Sequence, residues 1–200
     1  MDSIGSEQKK AQYHEFFTIK HKLNVNMQPL GDDFLLPDQQ DLAEHMPYAF
    51  KIAAEMSGAD SKILRPLKNL GEYAVELVEF LNQQNKKIDL MMSYILQQQD
   101  DSANRFHTIE FGGGGLTLVS PSPLQVGQMV ELKIFLADEA AGVFCYAEVI
   151  NCEQVEQHHH ISLLFSCIRE PDQELLVRAS LHVQTLELRA RAKQQKNEKQ

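Results

Sequence analysis

The sequence predicts an α+β protein in which about six short strands form a small antiparallel barrel or sandwich. A long helical insertion follows the first strand, and a helix ends the fold. Three observations carry this reading. Apolar and polar residues alternate with a period of two near the start of the chain and again after residue 105. Between these stretches the period shifts to about 3.5, and after Pro171 one helical face is apolar.

The first strand lies within residues 14–28. Phe17, Ile19, His21, Leu23, Val25 and Met27 alternate with Thr18, Lys20, Lys22, Asn24 and Asn26, so one face is buried. Pro29 and Gly31 close the strand, and no strand follows nearby. A strand with two unpaired edges is unstable, so its partner must lie in the C-terminal half. Residues 35–103 are then an insertion into a β domain.

Within the insertion, Asp38 to Met46 and Pro47 to Ser57 read as short helices, the second ended by Gly58. A heptad helix spans about 65–99. Ile63, Leu67, Leu70, Ala74, Leu77, Leu81, Gln84, Ile88, Met91 and Ile95 recur at alternating steps of four and three, the a and d positions of a coiled coil. Val78, Phe80, Met92 and Tyr94 broaden this stripe, which favours an assembly of three or four chains, four preferred. Arg65, Lys68, Lys86 and Lys87 balance Glu72, Glu76, Glu79 and Asp89, so charge does not oppose self-association. The same pattern also suits a core helix packed on its own domain.

The remaining strands are expected at Phe106 to Phe111, Leu116 to Val119, Met129 to Leu136, Gly142 to Cys152 and His159 to Ile168. Pro171 opens the last helix, with Leu175, Leu176, Ala179, Val183, Leu186 and Ala190 on one face. Residues 106–192 thus complete the β domain and its helix, and 193–200 read as a disordered tail.

Composition narrows function by exclusion. The 200 residues carry 19 basic and 28 acidic groups, a net charge of −9, which disfavours polymeric nucleic acid and anionic membranes as partners. No apolar run reaches the roughly 20 residues that span a bilayer, so membrane insertion is not expected. Cys145, Cys152 and Cys167 show no CxxC spacing and the first residues lack an apolar signal core, which points to a cytoplasmic location.

The run from Gly115 to Phe165 carries a resemblance. A Gly-Leu step leads into a strand, then come a Pro123-Leu124-x-x-Gly127 turn, the strand Val130 to Leu136, Ala147-Glu148-Val149 and a returning His160-Ile161-Ser162. This order resembles the PilZ domain, a bacterial receptor module for cyclic diguanylate (cyclic di-GMP). The resemblance implies a six-stranded barrel, and a PilZ subclass with long heptad helices inserted after the first strand, forming tetramers, is similar to the layout above.

Ligand-competent PilZ domains use an RxxxR pair near the first strand and a [DN]xSxxG loop after it. A guanidinium can stack on guanine and pair with phosphate together. Here the first arginine is Arg65, and the corresponding stretch holds Lys10, His14 and Thr18. The second motif reads Glu110-Phe111-Gly112-Gly113-Gly114-Gly115: Glu110 replaces Asp or Asn, Gly112 replaces Ser, and Gly115 alone is kept. Residues 106–171 add Lys133 and Arg169 against eight acidic groups, a balance of −6. A bis-phosphate ligand would therefore need Arg189 and Arg191 folded over the site.

Other constellations are weaker. The four glycines lack the Gly-Lys-Ser/Thr and following helix of a phosphate loop, and read as a turn permitting close backbone approach. His158 and His160 share a strand face but lack a third ligand, so no metal is expected. No nucleophile and base stand at catalytic spacing, so no catalytic residue is assigned and no enzyme is expected. The sequence thus predicts a non-catalytic, homotetrameric PilZ-type module of bacterial cyclic di-GMP signalling. It would have a degenerate nucleotide site, no cofactor and an unidentified protein partner. The alternative is a genuine cyclic di-GMP receptor with a rearranged site.

Overall fold

A computed structural model describes residues 9, 13, 17–56 and 72–197. The elements in chain order are β1 (Thr18–Lys20), β2 (Asn24–Pro29), α1 (Leu42–His45), α2 (Tyr48–Met56), α3 (Glu72–Gln97), β3 (Arg105–Gly112), β4 (Gly115–Ser120), β5 (Met129–Leu136), β6 (Ala141–Val155), β7 (His158–Cys167) and α4 (Glu170–Asn197). All the strand pairings are antiparallel and run β3-β2-β5-β6-β7-β4 and back to β3, closing a six-stranded barrel. The short β1 is added beside β3.

The N-terminal strand does pair with the distant half of the chain, but it is broken. Thr18–Lys20 lies against Glu110–Gly112 and Asn24–Asn26 against Arg105–His107. At the break the Thr108 side chain takes over the ladder: Leu23 N donates to its Oγ1 at 2.8 Å, and that hydroxyl donates to His21 O at 2.7 Å. The β3–β4 register shifts at the same place, between Thr108 and Glu110. Strict alternation therefore fails at both ends. Phe17 is 50% exposed, whereas Asn26 is buried.

Two apolar clusters order the molecule. The barrel interior is filled by alternating inward residues such as Val25, Met27, Leu116, Leu118, Leu132, Ile134, Val143, Ile161 and Leu163. Leu175, Leu176, Ala179 and Val183 of α4 join that core, so α4 is part of the barrel domain. Outside the barrel, Phe144, Tyr146 and Cys167 pack with Leu42, Met46, Phe50 and Ala53 and with Met92 and Leu96 of α3. Gly142 allows this contact, since a Cβ there would meet Phe50 Cε1 at 2.7 Å and Leu96 Cδ2 at 3.0 Å.

Several expectations need correction. The heptad helix is described only from Glu72 to Gln97, and Ile63, Leu67 and Leu70 lie outside the described residues. Val78 and Met92, expected to broaden the assembly stripe, are buried within the chain. Leu186 is 46% exposed, because the helix has passed the barrel there. The chain is helical to Asn197, where a disordered tail from 193 was expected. Lys193, Gln194, Gln195 and Lys196 are helix formers with no glycine or proline to stop them.

Candidate functional site

Cross-strand pairing brings Glu110 into a row of polar residues on the outside of the barrel. Lys20 lies opposite Glu110, Glu110 opposite Thr117, Thr117 opposite Ser162, and Ser162 opposite Asn151. Paired residues point to the same face. Over this row sits Tyr13, only 4% exposed. Its phenol donates to Glu110 Oε1 at 3.2 Å and lies 3.0 Å from Thr117 Oγ1. Thr117 Oγ1 in turn lies 3.1 Å from Ser162 Oγ and donates to Glu110 Oε1 at 3.4 Å.

The Tyr13 ring packs with Ile150 and Leu164, residues that would otherwise be wet. Ile150 falls in the register irregularity between Val149 and Asn151, which gives an outward apolar contact on a mostly polar face. Burial pushes the Tyr13 phenol well above its ordinary range, and the nearby Glu110 charge pushes the same way. Four residues earlier, Lys9 Nζ pairs with Glu148 at 2.7 Å. Lys9 is thus held at β6, and Tyr13 at β3 and β4.

The glycine run is a tight hairpin between β3 and β4, with all four glycines buried. A Cβ on Gly112 would collide with Phe17 O, one on Gly113 would meet Val177 Cγ2, and one on Gly115 would collide with Leu163 O and the Tyr13 ring. Gln173 Nε2 also donates to Gly113 O at 2.9 Å. Close approach of neighbours explains these glycines.

Arg189 and Arg191 are not brought here. Both are exposed, and Arg191 pairs with Glu187 at 3.6 Å. Val177 touches the glycine hairpin, and Arg189 lies about 18 Å farther along the same helix. Glu110, Gly112 and Gly115 are therefore gathered without either arginine. Sequence reasoning missed Tyr13, the first aromatic of the chain, which follows a mostly polar run. Its signal was positional, since it stands between Lys10 and His14 where the arginine pair would fall.

The second candidate surface is α3. Leu77, Ile88, Met91 and Ile95 are 52%, 41%, 66% and 37% exposed, and Ala74, Leu81 and Gln84 are half-buried. Phe80 and Tyr94 lie beside this stripe, 55% and 64% exposed. So many large apolar side chains on one helix face exceed what scattered surface residues explain. Val78, Met92 and Leu96 on the adjoining face are buried.

Cys145 and Cys167 are buried, and burial pushes both thiols up, away from reactivity. Among the described residues no group of three His, Cys, Asp or Glu side chains stands together as a metal site, and no helix is long and apolar enough to cross a membrane.

A family model described as "PilZ domain" matches residues 81–182, just over half of the chain. The chain belongs to the PilZ domain family. The match runs from the middle of α3 into α4, so the N-terminal strands that complete this PilZ barrel lie outside it. No curated protein matches the sequence.

Several solved structures are similar. A tetrameric PilZ domain protein of Xanthomonas campestris, self-assembled via an unusual helical bundle, matches with a TM-score of 0.51 at 17% identity, covering 90% of this chain and 96% of that one. The inhibitor of motility MotI of Bacillus subtilis gives 0.45 at 13% identity, covering 86% and 51%. YcgR of Escherichia coli in complex with c-di-GMP gives 0.36 at 19% identity, covering 48% and 42%. The chain thus spans about half the length of MotI.

Proposed function

We propose that this PilZ protein is a non-catalytic module of cyclic di-GMP signalling that acts as an oligomeric protein-interaction scaffold. Its nucleotide site is degenerate. The observation that carries this reading is Tyr13: where ligand-competent relatives place arginines, a buried phenol is bonded to the Glu110 carboxylate and packed on Ile150 and Leu164. An anionic ligand arriving there would lose the cationic forks that hold phosphate and meet a carboxylate. The acidic balance of the barrel acts in the same direction.

Support for self-assembly comes from the stripe Leu77, Leu81, Gln84, Ile88, Met91 and Ile95, of which Leu81 and Gln84 are half-buried and the other four exposed. A four-chain bundle would cover it and the adjacent Phe80. The tetrameric Xanthomonas relative, assembled via a helical bundle, agrees with this layout.

Calorimetric titration with cyclic di-GMP tests the nucleotide part. Micromolar ligand should give no saturable heat and no thermal shift. A receptor would gain about 2.7 kcal/mol at one hundred times its dissociation constant. A saturable shift of that size would overturn the degenerate-site reading and leave a cyclic di-GMP receptor.

A further inference from the structure

A second surface lies on α4 and shares no residue with the α3 stripe. The last buried side chain described on α4 is Val183, whereas the helix runs on to Asn197, so about 21 Å of it extends past the core. On the outward face Val177, Leu181 and Leu188 are 41%, 49% and 58% exposed. Steps of four and seven place them within about 40° of one another around the axis, the spacing of a helix seam. Phe17, also exposed, adds to one end: its carbonyl lies over Gly112, and Val177 Cγ2 lies over the adjacent Gly113.

This face also has a sign. From Val177 to Asn197 the chain carries Arg178, Arg189, Arg191, Lys193 and Lys196 against Glu187 alone, in a protein of net charge −9. Arg191 is paired with Glu187, and His182 with Glu139. Arg178, Arg189 and Lys193 are exposed, and their charged ends form no ion pair with any described residue. All three lie on one side of the seam, about 80° to 140° around the axis from Leu188. An apolar seam with one uncommitted basic flank selects the complementary chemistry in a partner.

We propose that the outward face of α4 is the docking site for an acidic amphipathic helix of a partner protein. Its apolar side chains would pack on Val177, Leu181 and Leu188, and its Asp or Glu side chains would face Arg178, Arg189 and Lys193. The inference rests on the scaffold reading and gives it a surface and a partner chemistry. Other occupants fit less well. A second copy's α4 would set its own cations against these. A membrane surface needs one broad apolar face, but Leu186, also exposed, lies about 160° from Leu188. Polymeric nucleic acid would leave the apolar seam wet and meet the net negative charge of the chain.

Fluorescence anisotropy on the full chain tests this with three labelled 21-residue peptides: a Leu/Glu sequence with heptad spacing, its Leu/Lys counterpart and a scrambled Leu/Glu control. The Leu/Glu peptide should bind saturably, and the other two at least tenfold more weakly. Leu181→Ser or paired Arg189→Glu and Lys193→Glu, all at exposed positions, should each weaken that binding tenfold or more. Leu35→Ser, in the exposed loop ahead of α1, should leave it unchanged. Absence of saturable binding, equal binding of the Glu and Lys peptides, or indifference to Leu181→Ser would overturn the proposal. So would co-sedimentation with phosphatidylserine vesicles that the charge reversal abolishes, which would make this face a membrane contact, or a fall in sedimenting mass on that reversal, which would make it a contact between copies. A tetramer that ignores the Leu/Glu peptide would overturn this surface alone and leave assembly through α3 standing.

Discussion

Burial, with the Glu110 carboxylate acting in the same direction, favours the neutral form of the Tyr13 phenol, and substitutions there measure what the contact is worth. Tyr13→Phe keeps the ring on Ile150 and Leu164 and removes the phenol's bonds to Glu110 and Thr117, which still bond each other. The expected loss is about 1 kcal/mol. Tyr13→Ala also empties the pocket over Gly115, and about 3 kcal/mol is expected. Urea denaturation at neutral pH measures both. The pH dependence has a defined sign: the folded phenol titrates above its ordinary value of 10.0, so its contribution is intact below pH 10 and declines as pH rises beyond it. Wild type should therefore lose stability between pH 10 and higher pH faster than Tyr13→Phe does. Parallel losses would show that this phenol is not held neutral.

The helices and strands meet at a few positions where small or polar residues are required. Gly142→Val would drive a side chain into Phe50 and Leu96, and about 2 kcal/mol is expected to be lost. Asn26 ties the exit of α3 to β2: its Nδ2 donates to Asp100 Oδ1 at 2.9 Å and Asp101 O at 3.0 Å, and its Oδ1 accepts from Asp101 N at 2.8 Å. Asn26→Ala should cost about 2 kcal/mol and raise amide exchange at the end of α3 more than in the barrel. Equal exchange across the chain would contradict this. Strand positions were legible because inward residues such as Leu132, Ile134 and Leu136 alternate with half-buried ones over whole elements. The break at His21 to Leu23 was not legible, because it depends on Thr108, a residue 85 positions from Leu23. Glu110 and Gly115 stand out in the sequence, but their occupant Tyr13 does not: its partners Glu110, Thr117, Ile150 and Leu164 meet only after the barrel closes.

At the scale of the whole molecule, the barrel and the long helix divide the work. Met92 and Leu96 of α3 are buried against the barrel and Val78 is buried within the chain, whereas Leu77, Ile88, Met91 and Ile95 of the a and d stripe stay exposed, so under the proposed assembly one helix would both belong to a domain and join several copies of it. Gln84 would form a polar layer in the assembled seam, lowering stability while favouring one register, so Gln84→Leu should raise the melting temperature. Charge is the sharper probe. Leu77 is exposed and Leu81 half-buried in the single chain, so aspartates at both leave the barrel intact but place like charges in two layers of a bundle. Sedimentation velocity of the wild type and of Leu77→Asp/Leu81→Asp across micromolar concentrations is the most direct measurement. A tetramer that becomes a folded monomer in the double variant is the expected result. A wild type that already sediments as a monomer, or a double variant that stays tetrameric, would contradict assembly through this helix.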